Sequence, residues 1–547
     1  MASTLQHKIC TDMAPFLPGI LPDRLANDCD LIGLGLDSLA MMKLAAMWRR
    51  QGYDVSFARL IEQPRLDAWL ALMTQQTPSA EQEKKAVLPG THENEPFPLA
   101  LMQHAYWVGR DSAQHLGGVA AHFYHEFDLP QLDVARLENA VHQLLARHGM
   151  LRVAILEEGQ QQVLEHAQWP GLREYDLRQE AADIATLRME AIRAALSHRQ
   201  LNIAQGEVFD VRVTHKPAAL GGGCRLHFNL DMIAADAMSL RVLLDDLARL
   251  YLEPQQPLPV LDLSYCQYQQ LRHAWLQEPQ QQARYAQDKQ WWLERLADLP
   301  GAPMLPSVGL NPDSAQQTVV RRHRWFDARA RQQLEASARE HQLTLPMMIA
   351  AAFAEVLTQF SDDEDFILNL PLFNREPLHT SVPALVGDFT SSVLLAWRGS
   401  NPGSFLERAQ RLQQQFRQDA AHACFSGVEV LREAARVRGQ QQFAPVVFTS
   451  ALGLGELFSE RVQQAFGQPG WIVSQGPQVW LDAQITELNQ GFLVNWDARE
   501  SRFPAGMLDL MFNQFTGLIE ALIASEQAWQ QPVQSALPSA QQVVRQR

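Results

Sequence analysis

The chain has 547 residues, 46% of them hydrophobic and 20% charged, a balance that excludes a disordered polymer and suggests about three or four compact units. A formal net charge of −15 gives no electrostatic reason to attract nucleic acid or anionic lipid. The 5 cysteines are scattered without a CxxC or Cys/His cluster, which argues against a disulfide framework or a zinc centre and suits a reducing compartment.

The opening MASTLQHKICTDMAPF lacks the basic flank and apolar core of a secretory leader, and no stretch reads as an uninterrupted bilayer-spanning run. The expectation is a cytoplasmic protein with no metal, no nucleic-acid partner and no membrane partner. The first piece is helical in pattern. Leu31 to Leu36 form an apolar loop, and Ser38 opens a helix expected to run to about Gln51. In it Leu39, Met42 and Ala46 share the spacing of a buried stripe. Pro64 suits the start of a further helix, Arg65 to Met73. Residues 76–96 are polar, include Pro78, Pro89 and Pro96, and read as a linker.

The long second piece alternates helices and strands. Asp133 is placed to cap a helix in which Val134, Leu137, Val141, Leu144 and Leu145 share a face. Arg225 to Leu230 alternates as a half-buried strand, and Leu240, Leu243 and Leu244 begin an amphipathic helix. Thr344 to Phe360 reads as a helix, while Phe366 to Leu370 and Val446 to Thr449 read as buried strands. Val479 to Trp496 reads as a hairpin turning at Asn489-Gln490-Gly491. The glutamine-rich runs at 280–282 and 413–415 need no special role. Residues 536–547 are polar and pattern-poor, a tail or a linker to a further domain.

Two short strings carry chemistry. In LIGLGLDSLAMMKL, Ser38 stands between a glycine-containing loop and the first turn of a helix, which exposes its hydroxyl where the helix dipole favours an attached phosphate. A DS pair before a helix is, taken alone, just as well a cap. In DMIAADAMS, Asp231, Asp236 and Ser239 surround a strand-to-helix junction, and two acids and a serine there need mean no more than capping and an ion pair.

The wider context turns both into resemblances. LGLDSL, its downstream helix and FARLIEQPRLDAWLALM together resemble acyl- and peptidyl-carrier domains, in particular the aryl carriers that open siderophore synthetases. That likeness implies a covalent 4′-phosphopantetheine arm on Ser38. The second piece is similar to the heterocyclization subfamily of nonribosomal peptide synthetase condensation domains. Ordinary condensation domains carry HHxxxDG where this chain has DxxxxDxxS, with Met232 in place of the second histidine. FPLALMQHAYWVGR, the Arg147-His148 pair, LPGAPMLP, Gly387-Asp388-Phe389-Thr390, PVVFTSAL, SQGPQVWLD and Trp496-Asp497 follow the family order. One departure is Gly476, where the family usually has threonine.

The resemblance implies a two-lobed α/β fold like chloramphenicol acetyltransferase, with a tunnel between the lobes, preceded by an all-α four-helix-bundle carrier. The expected boundaries are 1–75 for the carrier, 76–96 for the linker, 97–270 for the N-lobe, 271–535 for the C-lobe and 536–547 for the tail. The implied reaction joins a carrier-bound acyl group, aryl in the reading favoured here, to a downstream cysteinyl, seryl or threonyl amine. It then cyclodehydrates the amide to a thiazoline or oxazoline, as in siderophore biosynthesis. The implied partners are a phosphopantetheinyl transferase, an aryl- or aminoacyl-activating adenylation enzyme and a downstream peptidyl carrier.

By the same likeness Asp482 is the acid/base and Thr449 its hydrogen-bonding partner, with Gln478 and Ser450 as lesser candidates for orienting the amide or water. Asp236 is expected to be an architectural ion-pair partner, and the role of Asp231 stays open. His227 and His148 read as hydrogen-bonded structural histidines. The alternatives are an amide-forming condensation module without cyclization, or a non-catalytic docking scaffold.

Overall fold

The structure is a computed structural model that describes residues 2–17, 25–74, 93–112, 117–308, 318–373 and 375–533. Most of the expected linker and all of the expected tail lie outside the described residues.

The first piece is built from helices Ala2–Met13, Ser38–Arg50, Phe57–Glu62 and Leu66–Thr74. Asp37 caps the second of them by accepting from the Ala40 N–H at 2.8 Å, and Ser56 caps the third through the Arg59 N–H at 3.3 Å. The buried face of the Ser38 helix is Met41, Leu44, Ala45 and Trp48. The expected stripe of Leu39, Met42 and Ala46 is therefore corrected by about one residue: those side chains are only half-buried. The reason is tertiary. Trp48 packs edge-on against Trp69, with ring centroids 5.6 Å apart, and that large contact sets the rotation of the helix.

The second piece has two sheets with helices packed on them. The N-lobe sheet runs Pro469–Gln475, His122–Leu129, Cys224–Asp231, Phe209–His215, Arg173–Asp176. The C-lobe sheet runs Thr390–Arg398, Asp365–Phe373, Val446–Ser450, Leu481–Leu488, Gly491–Arg499, Val319–Phe326. A small third sheet joins Phe97–Pro98, Gln160–Val163 and Val153–Leu156. The chain does not divide cleanly at residue 270. Strand Pro469–Gln475 pairs antiparallel with His122–Leu129, and Phe458, Val462 and Phe466 enter the N-lobe core. The C-terminal half thus completes the N-lobe sheet and ties the lobes together.

Helix Met507–Ala524 is long and apolar enough to cross a membrane by length and composition. Here it buries Met511, Phe512, Phe515 and Ile519 against the C-lobe sheet, while Arg322 and Arg324 pair with its Asp509 and Glu520. It is a core helix of this domain.

The helical first piece and the C-lobe share one continuous apolar core. Arg417 donates to Asp30 at 3.0 Å, Arg49 pairs with Glu376, and Lys43 donates to the Gly453 carbonyl. The Arg49 guanidinium also lies 5.0 Å from the Trp275 ring centroid.

Candidate active site

Two strand rows of the C-lobe sheet build the chemical centre. In register across four strands lie Val447, Asp482, Asp497 and Arg321; in the next row lie Thr449, Gln484, Asn495 and His323. Residues two apart on a strand point to the same face, so the polar members of both rows form one patch. All of that patch but the exposed His323 walls a cavity of about 450 Å³ between the lobes, whose other wall includes Tyr106, Phe123, His125 and Met232.

The Thr449 hydroxyl donates to Asp482 Oδ1 at 2.9 Å, and Gln484 Nε2 donates to Asp482 Oδ2 at 2.6 Å. Both carboxyl oxygens are therefore met. Burial pushes the Asp482 carboxyl up to about 7; the Gln484 hydrogen bond opposes this, the nearby Asp497 charge adds to it, and Thr449 and Arg321 oppose it. Arg321 grips Asp497 through two bonds of 2.7 and 2.5 Å, and Ser474 donates to the same carboxylate from its N–H and its hydroxyl. Asp388 also lines the cavity and is held up to about 7, chiefly by burial, and among the described residues its Oδ2 has no hydrogen-bond partner. His125, forced down to about 3 by burial, faces the cavity as a neutral ring.

The Asp231–Ser239 motif does different work. Asp236 caps helix Ala237–Leu252 through the Ser239 N–H at 2.7 Å and pairs with Arg375 at 2.7 Å. The Ser239 hydroxyl donates to the Gly387 carbonyl at 2.8 Å and accepts from the Gly387 N–H and from Arg375. Asp231 pairs with Arg110 of the FPLALMQHAYWVGR segment at 2.6 Å; burial raises its carboxyl against the pull of that guanidinium. Asp236 borders the cavity, but Asp231 and Ser239 are not among the residues lining it. Met232, where ordinary condensation domains carry a histidine, does line it and brings no titratable group.

Of the lesser candidates, Gln478 lines the cavity with a left-handed φ of 61°, whereas Ser450 is not in its wall. His227 sits in a buried knot with Tyr124, Glu126 and Thr214, and His148 bonds Asp246 at 2.9 Å. Neither lines the cavity. Gly476 is not required by the backbone, since an added Cβ would meet only Val479 at an ordinary 3.4 Å. Gly109 is required: a Cβ there would lie 2.4 Å from Pro477 of the opposite wall. Gln484, Arg321, Asn495 and Ser474 were not singled out by sequence. Strand alternation places each on a face, but only the cross-strand register brings them to Asp482.

Ser38 is half-buried at the start of its helix. Its neighbour Leu39 lies against Gly453, 3.3 Å from where a Cβ would stand, in the loop that follows cavity-lining Ala451. The helix N-terminus at Ser38 suits a phosphodiester on that hydroxyl.

The family description "Condensation domain" matches residues 93–542, and "Phosphopantetheine attachment site" matches residues 17–73. Phenyloxazoline synthase MbtB of Mycobacterium tuberculosis (strain ATCC 25618 / H37Rv) is 46% identical over 100% of this chain and 38% of its own length. Pyochelin synthetase PchE of Pseudomonas aeruginosa (strain UCBPP-PA14) is 37% identical over 95% of this chain and 35% of its own. The chain thus spans less than half the length of these curated relatives. Among solved structures, the EpoB cyclization-docking bidomain from Sorangium cellulosum aligns with a TM-score of 0.70 and 33% identity, covering 80% of this chain and 87% of that one. The first condensation domain of the calcium-dependent antibiotic synthetase, at 17% identity and a TM-score of 0.63, shares the fold.

Proposed function

We propose, from the premise that this chain belongs to the condensation-domain family and opens with a phosphopantetheine attachment site, that it is the carrier–heterocyclization part of a nonribosomal peptide synthetase. It joins an acyl group delivered from Ser38 to the amine of a cysteinyl, seryl or threonyl substrate and closes the resulting amide to a thiazoline or oxazoline. When attached to Ser38, the phosphopantetheine arm supplies the acyl group as an activated thioester. The observation that carries this reading is the Thr449–Asp482 pair in the interlobe cavity, with a carboxyl poised near neutrality and Met232 in place of a histidine.

Amide formation asks mainly for alignment, because a thioester is already activated; holding two reactants together contributes several kcal/mol, about 7 or more in well-aligned cases. Ring closure asks for proton transfer. As the side-chain thiol or hydroxyl attacks the amide carbon, its proton passes to the Asp482 carboxylate and on to the carbonyl oxygen, leaving a cyclic hydroxyl adduct. The C–O bond then breaks as the adduct nitrogen forms C=N. The nitrogen proton passes through the same group to the departing oxygen, and water leaves. Asp482 begins and ends ionised, and a pKa near 7 suits both receipt and return.

The name phenyloxazoline synthase supports an aryl acyl donor, and the substrates proposed on that reading are salicylate or 2,3-dihydroxybenzoate, in siderophore biosynthesis. Partners are a phosphopantetheinyl transferase acting on Ser38, an aryl-activating adenylation enzyme and a downstream peptidyl carrier. The test supplies the loaded chain with an aminoacylated downstream carrier and follows amide and ring by mass. Asp482→Ala is expected to accumulate open amide. Ring formation at the normal rate by that variant would remove Asp482 from the mechanism.

A further inference from the structure

The orientation of one side-chain amide gives the Thr449–Asp482 pair a direction. Gln484 Oε1 accepts from Asn495 Nδ2 at 3.0 Å and from Arg321 Nη2 at 3.2 Å. A guanidinium only donates, so Oε1 must face Arg321 and the NH2 must face the other way. That NH2 meets Asp482 Oδ2 at 2.6 Å and the Ser474 hydroxyl at 2.7 Å. Ser474 is itself held by Asp497, which Arg321 grips in turn. The amide is thus pinned at both ends and cannot flip.

An amide NH2 donates and never accepts, whereas a hydroxyl does both. When Asp482 takes a proton, Oδ2 has no acceptor opposite it, because the pinned NH2 already points there. The proton must lie on Oδ1, where the Thr449 hydroxyl turns to accept it and offers its own hydrogen elsewhere. We propose that Gln484, fixed by Arg321 and Asn495, is a positioning residue that confines the Asp482 proton to Oδ1 and makes the Thr449 hydroxyl the conduit between that carboxyl and the substrate. Each transfer forms one O–H bond on Thr449 as another breaks, so Thr449 is unchanged at the end and no external acid, base or oxidant is consumed. This rests on the assignment of Asp482 above.

The experiment uses the full chain, loaded on Ser38, with an aminoacylated downstream carrier, and measures amide and ring formation separately across pH. Other charged or titratable groups near Asp482 are Asp497 and Arg321 on neighbouring strands and Tyr106 across the cavity. Gln484→Met removes the donor to Oδ2 and should slow ring formation about 100-fold, while amide formation stays within about twofold. It should also move the pH dependence of ring formation upward, because the ionised carboxyl loses the hydrogen bond that favours it most. Gln484→Glu places a second carboxyl against Oδ2, draws the proton to that side and should suppress ring formation to a similar degree.

Thr449→Val should fall to the level of Asp482→Ala, and Thr449→Ser should recover ring formation. Retained amide formation in each variant reports a folded site. Normal ring formation with an unmoved pH profile in Gln484→Met, or substantial ring formation in Thr449→Val, overturns the conduit while leaving Asp482 in place. Normal ring formation in Asp482→Ala overturns the underlying reading instead.

Discussion

Asp236 Oδ1 and Arg375 Nη2 lie 2.7 Å apart, with their side chains only 0% and 7% exposed, and their pairing clips the start of helix Ala237–Leu252 to the loop leading to Gly387. Arg375 also spans to the Val382 and Leu385 carbonyls and lies over the Phe389 ring, with its guanidinium carbon 4.2 Å from the ring centroid. The pair joins two segments of the domain that are far apart in sequence.

Asp236→Ala should therefore act on stability. It leaves a buried guanidinium unpaired, at about 3–5 kcal/mol, and removes a helix cap at about 1 kcal/mol. The expected result is a drop in melting temperature, with amide and ring formation declining together. A variant with unchanged melting temperature and selective loss of the ring would place Asp236 in the chemistry.

Stability should also depend on pH in a definite direction. The folded chain holds the Asp482 proton up to about 7, whereas the ordinary carboxyl value is 3.8. Between those values the folded state binds more protons than the unfolded one. The contribution is full below the lower value and is lost as pH rises through the upper one. Asp388, Glu355 and Asp419, raised to about 7, 7 and 8, add in the same sense. Asp482→Asn should gain on wild type by about 1–2 kcal/mol at about pH 8.5 and by little at about pH 4. Thermal melts of both proteins at the two pH values decide it, and an equal difference at both would remove the linkage.

Beside the shared apolar core, the carrier meets the C-lobe through charge pairs between Arg49 and Glu376 and between Asp30 and Arg417. Partly exposed pairs of this kind contribute about 1 kcal/mol or less each. Glu376→Arg should slow amide formation from the tethered carrier several-fold without changing phosphopantetheinylation of Ser38, and Arg49→Glu in that background should restore part of the rate. Identical rates in all three proteins would mean that this contact does not contribute to delivery.

Gly109 admits no side chain because Pro477 occupies the space. Gly109→Ala should push the two cavity walls apart and cost about 1–3 kcal/mol, the usual penalty of overpacking. A melting temperature equal to wild type would show that the contact yields without strain.

Local sequence carried much of this. The turn of apolar residues before Ser38, the Asp37 and Asp133 caps and the reversal at Asn489 and Gln490 depend on neighbours a few residues apart, and each is present. The strand over Arg225 to Leu230 forms, but it is buried on both faces rather than half-buried: His227 and Asn229 are covered as fully as Leu226 and Phe228, because the strand lies inside the N-lobe sheet with elements packed on either side. The stripe of the Ser38 helix was misplaced because its two candidate faces are both apolar and a distant tryptophan, Trp69, chose between them. The motif residues Asp482 and Thr449 were legible one by one.

What the sequence determined by itself, then, was the identity of the chemical groups and the elements that carry them: a serine at a helix start, a carboxyl and a hydroxyl on two strands, and an acid capping a helix. Only the tertiary structure decided which of these groups meet. Register across four strands set Thr449 and Gln484 on the two oxygens of Asp482 and joined them to Arg321, which lies 163 positions from Gln484 in the chain. Strand alternation assigns a face to each residue, but neighbours on that face are fixed by pairing between distant segments, and that pairing is a property of the folded core.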